Sequence, residues 1–249
     1  MAIGTPVHSG SAGVLSGTSV ATSSFTPAAN TVLFAFGWAY KANGTPAYPS
    51  ITDSLGNTWI EVPAAQVEAV HNTIDRGRGS LYYFVQGASP AARTVTVTSA
   101  GAGQCGLTVI AVPMGAPDVS NVATGNDGQN GDPSATLSGS PAAALAWAAV
   151  NGVSTFTIPS GYTSLVNSAF GSVNVLSAAY DLTSPGATQA WTSSNSAASV
   201  AIGIELIEAA AAGQPAAKRM GGVPYARLNR YFWRVIDALL DGFRGVVYG

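Results

Sequence analysis

Thr31-Val32-Leu33-Phe34-Ala35-Phe36-Gly37-Trp38-Ala39-Tyr40 is the stretch that decides the fold. It is rich in β-branched and aromatic residues and too short for a typical helix, so it reads as a strand. Leu81-Tyr82-Tyr83-Phe84-Val85 and Leu107-Thr108-Val109-Ile110-Ala111-Val112 read the same way. Thr94-Val95-Thr96-Val97-Thr98 alternates strictly, as a strand does with one face buried and the other wet. Between these runs lie turn signals at Asn43-Gly44, Leu55-Gly56-Asn57, Arg76-Gly77, Ala100-Gly101 and Asn151-Gly152. Further strands are expected at 143–150, 162–169, 172–181, 187–193 and 198–207. About a dozen strands with no helix-length periodic segment between them predict an all-β, antiparallel, jelly-roll-like sandwich over residues 1–208.

Composition agrees with a folded chain of low surface charge. Of 249 residues, 47% are hydrophobic and only 9% charged. Disordered chains show the reverse balance. The single cysteine, Cys105, excludes an intramolecular disulfide and a Cys-based zinc site, and its apolar setting predicts a buried, inert thiol. The N-terminus lacks the basic and apolar regions of a signal peptide, and every long apolar run is broken within a dozen residues or so. Cytoplasmic synthesis and no membrane span are the expectations.

The pattern changes near residue 209. Residues 209–217 form an Ala-rich linker, and 218–249 a basic arm. From residue 218 onward there are six basic and two acidic residues, whereas the preceding 217 hold four basic and ten acidic. Pro224 opens a predicted helix at about 224–241. Its apolar stripe carries Leu228, Phe232, Ile236, Leu239 and Phe243; Arg227, Arg230 and Arg234 line a separate polar stripe. These eight residues are the candidate assembly interface, on a second copy of the chain or on a larger particle. Packing of the same helix on its own sandwich is the alternative.

The search for chemistry nominates no site. His8 and His71, the only histidines, have no nucleophile-elbow neighbour, and no phosphate-binding glycine motif follows a strand. The body's ten acids are Asp53, Glu61, Glu68, Asp75, Asp118, Asp127, Asp132, Asp181, Glu205 and Glu208. Each has an ordinary structural role available, with Asp53 expected to cap the turn that follows it. Glu68, His71 and Asp75 would share a face only on a helix. Asn126-Asp127-Gly128-Gln129-Asn130-Gly131-Asp132 is rich in oxygen ligands but lacks the closing acid of an EF-hand. No metal or other cofactor is expected. Arg76-Gly77-Arg78-Gly79, one Arg-Gly copy on an acidic body, reads as a turn and predicts no nucleic-acid partner. Trp38, Trp59, Trp147 and Trp191 are expected in strand cores in preference to a sugar platform.

Residues Phe25–Phe34, Ile51–Trp59, Leu81–Phe84, Thr94–Thr98 and Ile158–Thr163 together resemble a β-sandwich module of bacteriophage structural proteins. The stretch Ala217–Ala226 is similar to the C-termini of small virion proteins. The resemblance implies a non-enzymatic virion component on the head or tail, partnered by its own copies and other virion proteins. It carries over no catalytic residues. Similar modules occur in secreted bacterial surface proteins. A carbohydrate-binding module recognising host-surface glycans, which would account for the sandwich and the aromatic residues, is the alternative.

Overall fold

The computed structural model describes residues 3–128, 132–152, 155–170, 174–193 and 197–209. The predicted helix, the basic arm and nearly all of the linker lie outside these residues. Within them the chain is all-β, every strand ladder is antiparallel, and there is no helix.

Strands β1 (Val7–Val14), β2 (Ser19–Ala21), β3 (Thr31–Lys41) and β4 (Ser50–Asp53) lead into a long hairpin, β5 (Ile60–His71) and β6 (Asp75–Gln86). β7 (Val95–Thr98) and β8 (Gln104–Pro113) complete the first half. The second half begins with β9 (Pro117–Asp118), β10 (Val122–Asp127), β11 (Ser134–Thr136) and β12 (Ala144–Asn151). It continues through β13 (Thr163–Phe170), β14 (Asn174–Asp181), β15 (Thr188–Ala190), β16 (Ser199–Glu205) and β17 (Ile207–Glu208).

The first half builds a five-stranded sheet in the order β1-β8-β3-β6-β5, backed by β2-β7-β4. The second builds β10-β16-β12-β14-β13, backed by β11-β15. The two orders correspond position by position. In each, the first long strand lies at one edge beside the last, and the hairpin closes the other edge. The Thr157–Thr192 bridge stands where β4 pairs with β7 in the first half. The described residues thus form an internal repeat of one topology. The five-stranded sheets pack face to face with the same reciprocity: β1 lies against β13, and β10 against β5.

This layering explains the run that decided the fold. Along β3, Val32, Phe34, Phe36, Trp38 and Tyr40 face the second sheet, while Leu33, Ala35 and Ala39 face the small sheet behind. A strand buried on both faces reads as an unbroken apolar run. β12 is its counterpart, with Leu145, Trp147 and Ala149 in the central layer and Ala144, Ala146, Ala148 and Val150 against the outer strands. Trp147 sits between the halves, its ring centroid 6.2 Å from Phe34 and 6.5 Å from Phe36.

One expectation is corrected. Arg76-Gly77-Arg78-Gly79 lies inside β6, and the turn is made by Asn72 and Thr73, both at positive φ. Gly79 is there for space: a Cβ would stand 2.9 Å from Cε2 of Phe36 and 3.2 Å from side chains of Val67 and Val200.

Candidate functional site

All ten body carboxylates have structural partners. The most buried is Asp53, which folds the segment after β4 around itself. Its Oδ1 accepts the backbone N–H groups of Leu55 and Asn57, each at 3.0 Å. Its Oδ2 accepts from Asn57 Nδ2 at 2.8 Å, Arg93 Nη1 at 3.2 Å and Trp59 Nε1 at 3.4 Å. The side chains of Arg93 and Asp53 are 3% and 0% exposed. Arg93 also donates to Gln86 Oε1 and lies 4.9 Å over the ring of Phe84. Burial alone would raise the Asp53 pKa. The donors of Asn57, Leu55 and Trp59 outweigh it and hold the carboxyl below its ordinary value.

Glu68 stands directly opposite Arg78 in the β5–β6 ladder and takes hydrogen bonds from both Arg76 Nη1, at 2.7 Å, and Arg78 Nε, at 2.5 Å. Arg78 spans further, donating to the Pro46 carbonyl at 2.9 Å and lying 4.3 Å over the Tyr48 ring. Asp75 does not pair with these arginines; it accepts the Asn43 N–H at 2.9 Å. His71 Nδ1 is 2.5 Å from the Gly128 carbonyl oxygen, so the two loops singled out for metal binding do meet. They meet through an imidazole and a main-chain oxygen. Among the described residues no three His, Cys, Asp or Glu side chains are placed to hold a metal ion.

The remaining acids lock turns and joints. Asp132 accepts the Ser193 N–H at 2.6 Å, and Asp127 that of Asp132 at 3.4 Å. Asp118 accepts from Ser120, and Asp181 from both the N–H and the hydroxyl of Thr183. Glu205 takes Asn121 Nδ2 at 2.6 Å and the Ala142 N–H at 3.2 Å, while Glu208 takes the Gly115 N–H at 2.7 Å. Glu61 hydrogen-bonds Tyr82; burial first, and this carboxylate second, push the phenol up to about 12.

Trp38, Trp147 and Trp191 are fully buried and Trp59 nearly so, each within a hydrophobic cluster. None of the four stands on the surface as a sugar platform would require. Cys105 is buried in the layer between β8 and the small sheet, and burial pushes its thiol up to about 11. The assembly residues Arg227, Leu228, Arg230, Phe232, Arg234, Ile236, Leu239 and Phe243 lie outside the described residues.

One feature had no sequence signal. A cleft of about 300 Å³ opens beside β1, with Val7, His8, Phe25, Pro27, Ala111 and Pro113 in its wall. Its one buried hydroxyl, on Thr31, is spent on the Ala28 carbonyl at 2.9 Å. The wall comes from three segments far apart in sequence, so no local pattern announces it.

No family model matches the chain, and no curated protein matches it. Among solved structures, oxalate decarboxylase from Bacillus subtilis at pH 4.6 aligns with 81% of this chain and 73% of its own, at 8% identity. The TM-score is 0.22, too low to carry any argument about fold or function.

Proposed function

We propose that the chain is a non-enzymatic structural component of a bacteriophage virion, built on two jelly-roll-like units and held on its particle by the arm at 218–249. The order β1-β8-β3-β6 against β2-β7-β4, repeated in the second half, supports the jelly-roll reading. The observation that carries the functional reading is the use made of the charged groups. Every carboxylate of the body is bonded within a turn, across a ladder or between strands, in a chain only 9% charged. Charge here serves shape. The net positive balance is concentrated instead in the arm, beyond a linker of small residues, where an electrostatic contact with acidic surfaces of other subunits is available. Self-association and contact with other virion proteins follow from the same arm.

Immunogold labelling of purified phage particles, with antibody raised against residues 3–209, tests the reading. It predicts regular decoration of the head or the tail. Unlabelled particles, with all of the chain free in the lysate, contradict it.

A further inference from the structure

His8 sits on β1, an edge strand, and its register partner is Ile110, a central-layer residue. The imidazole is therefore on the face that β1 turns toward β13 and the second sheet. Its Nε2 is shielded from solvent and has no hydrogen-bond partner among the described residues, and the Gly10 main chain forms a hydrogen bond with the ring. The ladder slips directly after it, between His8 and Gly10, so this part of the edge is held by fewer regular bonds. The strands packed on β1 offer no counter-charge. β2 and β13 contain no titratable residue, and Cys105 of β8 faces the opposite layer. On β14, the carboxylate of Asp181 is engaged by Thr183.

We propose that His8 is an acid-sensitive latch: the neutral ring lets β1 close against the second sheet, and its protonation releases that edge. A proton on Nε2 would place a positive charge on a shielded ring nitrogen with no carboxylate to receive it, which burial penalises. Burial lowers the His8 pKa, and the Gly10 hydrogen bond offsets this only in part. The sign follows from linkage. The released state binds the proton more readily, so closure is fully favoured above the ordinary histidine range and weakens as pH falls below about 6.5 toward the lowered value. Each pH unit between the two values multiplies release by up to about tenfold.

Amide hydrogen exchange of the full chain, corrected for intrinsic rates, measures the release. Protection of Ser11–Val14 should fall relative to β3 between pH 7 and pH 5, and His8→Gln, which cannot titrate, should remove that dependence. Constant β1 protection across this range, or an equal acid loss in His8→Gln, overturns the proposal. Should His8→Gln fail to fold, the ring titration of the unaltered protein decides by nuclear magnetic resonance. A ring midpoint below 6.5 that coincides with the loss of β1 amide protection supports the latch, and protection that does not follow the ring titration overturns it.

Discussion

Asp53 and Arg93 show how much of this molecule rests on single residues. Two nearly inaccessible charges meet, and every donor around Asp53 favours its ionised form. Removing one partner of such a pair strands the other, a loss on the order of 3–5 kcal/mol. Asp53→Asn should therefore lower stability by about that amount in denaturant titration at pH 7. The pH dependence has a defined sign. A carboxyl held below its ordinary value contributes stability that is present above about pH 4 and is lost as pH falls through the lowered value. The native protein should lose stability on that acid limb more steeply than Asp53→Asn, and parallel limbs would contradict the assignment. The turn role of Asp53 was legible in Asp53-Ser54-Leu55-Gly56-Asn57, because an Asx turn is a local device. Its partnership with Arg93, forty residues away, was not legible.

At the scale of elements, legibility followed burial. β3 and β12 face apolar layers on both sides, and their runs of Val, Leu, Phe, Trp and Ala announced them. β1, Val-His-Ser-Gly-Ser-Ala-Gly-Val, is an edge strand of small and polar residues, half-exposed for most of its length, and no period marks it. The glycines of β6 misled because glycine has two uses. Local reasoning sees a turn former, whereas here the missing Cβ makes room for a facing aromatic ring. Gly79→Ala accordingly tests packing. The added methyl group must displace Phe36, Val67 or Val200, and overpacking of this kind costs about 1–3 kcal/mol. Thermal denaturation should show a clear fall in Tm; an unchanged Tm would mean that the facing side chains yield without strain. The repeat itself was hidden for a related reason. Phe34, Phe36 and Trp38 on one sheet face Trp147 among alanines on the other, so matching strands carry complementary volumes and little common sequence.

At the scale of the whole molecule, the sequence divides into a net acidic β body and a net basic stretch at 218–249. The helix expected at about 224–241 would be marginal alone in water, so its apolar stripe would need a surface. The central claim is that this surface belongs to another chain. Sedimentation velocity of the intact protein beside a chain ending at Ala209 tests that claim most directly. The account predicts that the intact chain sediments as an oligomer, and that the shortened chain stays folded, keeps its β-rich circular dichroism and runs as a monomer. Identical association states for the two, with a lowered Tm in the shortened chain, would contradict it and leave the arm a lid on its own body.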